Sequence, residues 1–75
     1  MKRLTFREER ELGQIPGRIE QLESEAAQLN GRMADQQYFV KPGFVSDAVK
    51  RLGEIERELT WLYQRWEGLE ARQGR

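Results

Sequence analysis

From Leu12 onward the apolar residues fall at Leu12, Ile15, Ile19, Leu22, Ala26, Leu29 and Met33, separated alternately by 3 and 4 positions. The same alternation returns at Val45, Ala48, Leu52, Ile55, Leu59, Leu62, Trp66 and Leu69. Each run is a heptad seam, which keeps one stripe of a helix turned towards a partner. Between them lies Asp35 to Gly43, DQQYFVKPG, in which Pro42 and Gly43 break a helix. A connection that short returns the second helix antiparallel along the first. The pattern predicts an all-α fold, an antiparallel two-helix intramolecular coiled-coil hairpin. It forms a single domain over residues 1–75, with a helix over 6–34, a loop over 35–43 and a helix over 44–71. Thr5-Phe6-Arg7-Glu8 fits a capping box, with Thr5 as N-cap and Glu8 at N3, and sets the first start. Arg72 to Arg75 are expected to fray.

Two registers place the loop near its centre. One sets Leu12 against Leu69, Ile15 against Trp66, Ile19 against Leu62 and Leu22 against Leu59. It continues with Ala26 against Ile55, Leu29 against Leu52 and Met33 against Ala48. The other slides by one heptad and sets Glu8 against Trp66. The first is favoured because it uses every seam residue and buries no carboxylate. Ile19, Leu22, Ala26, Leu29, Leu52, Ile55, Leu59 and Leu62 are its expected core. Pro16 interrupts the first seam, because it cannot donate to the carbonyl of Leu12 and its ring clashes there. Leu12, Ile15 and Ile19 nonetheless stay in phase, which predicts a first helix kinked or broken near Pro16 with one face still turned inward. Tyr38, Phe39 and Phe44 are expected to roof the tip of the seam.

Composition agrees with a narrow core. Charged residues make up 35% of the chain and hydrophobic ones 37%, against a usual charged share of about 25%. The chain is neutral, with 13 basic and 13 acidic residues, which argues weakly against a general nucleic-acid binder. Cysteine is absent, which removes disulfides and thiolate chemistry, and histidine is absent, which removes imidazole bases and common zinc sites. No apolar run approaches the roughly 20 residues that span a bilayer. The opening MKRLTFREE turns acidic before any apolar stretch, unlike a signal peptide. No phosphate-binding GxxxxGK[ST] loop is present. Glu20, Glu23, Glu54, Glu56 and Glu58 are the carboxylates that a metal or an acid pair would need, but on outward helix faces their ordinary use is solvated charge. These absences predict a chain without catalytic residues, metal or cofactor of its own.

The remaining candidate chemistry is cationic. Folding the hairpin gathers Lys2, Arg3, Arg7 and Arg10 beside Arg65, Arg72 and Arg75, among Glu8, Glu9, Glu11, Glu67 and Glu70. The base of the hairpin gains a slight basic excess over an acidic middle. Such a patch can contact phosphates in a salt-dependent way, or serve only as helix-end charges and i,i+4 pairs. Trp61, at a c position outside the seam, either stacks on a base or partner or lies flat across charged stems.

LTFREERELGQIPGRIEQLESEAAQL, from Leu4 to Leu29, resembles the segment that opens the C-terminal domain of Uup-like ABC-F ATPases. The matching residues are Thr5, Phe6, Arg7, Glu8, Leu12, Ile15, Pro16, Arg18, Ile19, Glu20, Leu22 and Glu23. MADQQYFVKPGFV resembles that family's connecting loop. RLGEIERELTWLYQRWEGLE resembles its second helix, including the closing Arg65-Trp66-Glu67 with Leu69 and Glu70. The resemblance implies a cytoplasmic bacterial protein whose ATP-binding cassettes lie outside this chain, so that ATP belongs to those cassettes. It implies a DNA-binding contribution from a C-terminal coiled coil, in a class of proteins that act around ribosomes. Of the family's lysine-rich joining stretch this chain keeps Lys2 and Arg3. The expected partners are therefore DNA or another nucleic acid, bound weakly by this chain alone, the protein's own ATPase domains and the ribosome. No membrane is expected, and the chain is expected to be a monomer. The alternative is a structural strut that contacts protein or ribosome and has no nucleic-acid affinity.

Overall fold

The structure, a computed structural model, describes residues 3–35 and 43–73. Two helices make up the fold: α1, Phe6–Ala34, of 29 residues, and α2, Phe44–Gln73, of 30 residues. They pack antiparallel into a rod with extents of 55 × 16 × 15 Å. Pro42 and the aromatic tip (Tyr38, Phe39 and the Phe44 side chain) lie outside the described residues.

Both halves of the capping box are present at the start of α1. The Glu8 N–H donates to Thr5 Oγ1 at 3.1 Å, and the Thr5 N–H donates to Glu8 Oε1 at 2.9 Å. Two of the orphan donors that every helix start carries are thereby satisfied. The entry to α2 uses Gly43, whose φ of 80° is a left-handed conformation that costs a side chain energy. Its carbonyl accepts the N–H of Asp47 at 3.0 Å and closes the first turn.

α1 runs unbroken through Pro16: of the kink and the break that the sequence left open there, the break does not occur, and the same face stays turned inward. The proline ring sits on an exposed face. Leu12, Ile15 and Ile19 are buried on either side of it and hold the helix in phase. Packing by these residues opposes the cost of about 3 kcal/mol that an interior proline imposes.

Leu12, Ile15, Ile19, Leu22, Ile55, Leu62 and Leu69 form the buried cluster, with Leu4, Ala26, Leu29, Leu59 and Trp66 packed against it. Every α2 residue in register with Ala48 is buried (Ala48, Ile55, Leu62 and Leu69), whereas Val45, Leu52, Leu59 and Trp66 are half-buried. Four residues expected in the core, Ala26, Leu29, Leu52 and Leu59, are thus only half-buried. Two helices make one layer of contact, and with no third element among the described residues to cover it the edge of the seam stays open. The buried residues of α1 all lie in its first two-thirds, so packing is densest towards the chain ends.

Candidate nucleic-acid interface

Residues flanking the seam fix how the two helices meet. Arg65 donates to Glu11 through Nε and Nη2 at 2.6 and 3.0 Å. Arg18 does the same to Glu58 at 2.7 and 3.1 Å, and Arg51 to Glu25 at 2.6 and 2.8 Å. All these residues are heptad g positions, so the pairs climb α1 as they descend α2. On the opposite flank the Tyr63 hydroxyl donates to Glu23 at 3.2 Å, joining two e positions. The register midway between the flanks is the one that sets Leu12 opposite Leu69 and Ile19 opposite Leu62. The forked pairs hold the carboxyls of Glu11, Glu25 and Glu58 below the ordinary 4.5, chiefly through the hydrogen bonds from Arg65, Arg51 and Arg18. Because these pairs are partly open to water, their part lies more in alignment than in stability.

The base of the hairpin holds a tighter knot. Arg72 donates to Glu8 Oε2 at 2.6 Å and Oε1 at 3.1 Å, and to the carbonyl of Arg3 at 3.4 Å. Arg65 lies 3.9 Å from the same carboxylate. The Arg72 hydrogen bonds, followed by the Thr5 N–H, lower the Glu8 carboxyl to about 2. α2 therefore stays helical to Gln73, past the expected end at Ala71, because Arg72 is held in place rather than fraying.

The seven candidate cations divide accordingly. Arg3, Arg7 and Arg10 are exposed and carry no ion pair among the described residues. Arg65 and Arg72 are half-buried and engaged by Glu11 and Glu8. Lys2 and Arg75 lie outside the described residues. Arg7 and Arg10 stand on the first turns of α1, where the capping box fixes the backbone that presents them. The carboxylates considered as metal ligands do not converge: no group suited to a metal ion occurs among the described residues. Glu58 is taken by Arg18, Glu54 lies 3.5 Å from Arg51, and Glu23 accepts from Tyr63. Among the described residues no helix is long and apolar enough to cross a membrane.

Arg57 is a cation that the sequence pattern did not single out. It is exposed, has no ion pair among the described residues, and sits one helical turn before Trp61. Trp61 is 56% exposed and lines a groove of about 410 Å³ with Glu11, Gln14, Ile15, Arg18 and Leu62. An i,i+4 relation between an arginine and an outward tryptophan was the signal available in the sequence.

Residues 3–71 match the family described as the ABC transporter C-terminal domain. The chain is 37% identical over 71 residues to an ATP-binding protein Uup-like of Haemophilus influenzae, a match that covers 93% of this chain and 16% of that protein. It is 34% identical over 70 residues to the ATP-binding protein Uup of Escherichia coli, covering 92% of this chain and 11% of that one. The chain thus spans a small part of the curated relatives it matches. A solved structure superposes with a TM-score of 0.82 at 32% identity, over 95% of this chain and 85% of the other. It is described as the C-terminal domain of the Uup protein, a DNA-binding coiled coil motif.

Proposed function

Because this chain belongs to the ABC transporter C-terminal domain family, we propose that it is the nucleic-acid-binding accessory domain of a Uup-like ABC-F ATPase. It is non-catalytic and acts beside ATP-binding cassettes that are encoded elsewhere in the same protein. The observation that carries this reading is the likeness, over 95% of the chain, to a Uup domain described as DNA-binding. The free cations at the base supply a mechanism. Exposed Arg3, Arg7 and Arg10 contact phosphates without regard to sequence, since such contacts position a protein on nucleic acid and carry no base information. Arg65 and Arg72, engaged by glutamates, chiefly fix the base from which the free arginines project. The paired seam makes the rest of the hairpin a stiff rod that holds this end at a set distance from the tip.

Neutrality keeps the affinity low. With as many acids as bases in the chain, binding near physiological salt falls at the weak end of the non-specific range, about 10⁻⁴ M. The experiment is an anisotropy titration of labelled DNA at low and moderate salt. Salt-sensitive binding that tightens when the preceding linker is included supports the reading. Absence of binding at low salt, with the linker or without it, replaces it with a strut that contacts protein.

A further inference from the structure

Charge on this hairpin divides by side. The ion pairs Arg18–Glu58, Arg51–Glu25 and Arg65–Glu11 put the g positions of both helices on one side, and Tyr63–Glu23 puts the e positions of both on the other. Within α1 and α2 every lysine and arginine occupies a c, f or g position. The b and e positions carry Glu9, Glu20, Glu23, Glu56, Glu67 and Glu70 and no cation. The acids on the cationic side are mostly matched: Glu11, Glu25, Glu54 and Glu58 each face an arginine, while Asp47 lies at the start of α2, far from the base. A chain of zero net charge thus presents one basic and one acidic side.

Trp61 stands on the basic side, at the edge of the groove shared with Gln14 and Arg18. The two tryptophans differ in kind. Trp66 donates its Nε1–H to Glu70 at 3.0 Å and stacks on Tyr63 with ring centroids 6.3 Å apart. Trp61 has neither an acceptor nor a ring partner among the described residues and leaves 56% of its surface open. Cations without ion pairs among the described residues flank it both ways along the rod. Arg57 lies one turn before it on α2, and Arg10 and Arg7 lie one and two turns before Gln14 on α1, at about 5.4 Å per turn.

We propose that this side binds single-stranded nucleic acid, with one unpaired base stacked on Trp61 and the neighbouring phosphates on Arg57, Arg10 and Arg7. The inference rests on the nucleic-acid reading and adds to it the kind of strand. Arginine meets phosphate on any strand, but an indole meets a base face only where the base has left its stack, and such stacking tolerates any sequence. The glutamate side repels phosphate, so a strand is held on one side of the rod.

The test uses the Trp66→Phe variant, which keeps the ring beside Tyr63 and leaves Trp61 as the sole tryptophan. Its fluorescence is titrated at low salt with an oligothymidylate and with a blunt duplex of equal length. The oligothymidylate is expected to quench Trp61 and bind more tightly than the duplex. Trp61→Ala, whose helicity is verified by circular dichroism and whose binding is read by anisotropy of the labelled nucleic acids, is expected to weaken the oligothymidylate about tenfold and the duplex hardly at all. Equal affinities untouched by Trp61→Ala, or an equal loss on both nucleic acids, overturn the single-strand inference and leave the nucleic-acid reading standing. Binding of neither, with the preceding linker or without it, overturns both.

Discussion

Glu8, in the first turn of α1, is clasped by Arg72, in the last turn of α2, with hydrogen bonds of 2.6 and 3.1 Å from the two guanidinium nitrogens. The same carboxylate accepts the N–H of Thr5, so one side chain both starts a helix and ties it to the end of the other.

This double use makes stability depend on acid. The Glu8 carboxyl lies at about 2 against an ordinary 4.5, so its contribution is complete above 4.5 and is lost as the pH falls towards 2. Glu11, Glu25 and Glu58 shift in the same direction. Thermal melts are expected to move to lower temperature across that window. Glu8→Gln, which can still close a capping box, is expected to melt earlier at neutral pH and to show a shallower acid dependence. Identical pH profiles for the two proteins would assign the acid sensitivity to other groups.

The seam can be tested at Leu22, which is 1% exposed. Leu22→Ala removes buried methyls at a typical cost of about 2–5 kcal/mol, comparable with the stability of a domain this small. Leu22→Asp adds an unpaired buried charge and is expected to abolish cooperative melting by circular dichroism. Ser24→Asp, on an exposed position two residues away, is expected to melt within a few degrees of the parent.

Glycine separates helix propensity from backbone need. A Cβ added at Gly13, Gly17, Gly31 or Gly68 meets nothing within 4 Å, and all four lie inside helices. Gly13→Ala and Gly17→Ala are each expected to stabilise by about 1 kcal/mol, roughly 4–8 °C in Tm for a domain of this size. Gly43→Ala is expected to lower Tm, because its φ of 80° disfavours a side chain although the space is open.

The seam and the capping box were legible in the sequence because each rests on fixed local spacing. Leu12 to Leu69 and Thr5 to Glu8 need no knowledge of distant parts of the chain. The choice between a kink and a break at Pro16 was not legible: helix continuity there depends on Leu12, Ile15 and Ile19 packing across the rod, a tertiary effect that overrides a local penalty. For the same reason the basic residues at the base could not be sorted in advance into Arg7 and Arg10 on one hand and Arg65 and Arg72 on the other. That distinction follows from which carboxylates the register delivers, Glu11 to Arg65 and Glu8 to Arg72. Replacing all four arginines together would therefore confound weaker phosphate binding with a loosened base. The division of charge between the two sides emerges only when heptad positions are followed beyond the seam.

The most direct measurement of the account compares two double variants for DNA binding over a salt series. Arg7→Gln with Arg10→Gln removes exposed cations near the base, and Arg32→Gln with Lys50→Gln removes exposed cations near the tip. The two changes at the base are expected to weaken binding strongly at low salt and to flatten log K against log salt by about 0.9 for each phosphate no longer neutralised. The two changes at the tip are expected to have a much smaller effect, with unchanged helicity in both variants. Loss of binding on changing the tip while the base variant binds normally, or a salt-sensitive interaction that neither variant alters, would contradict it.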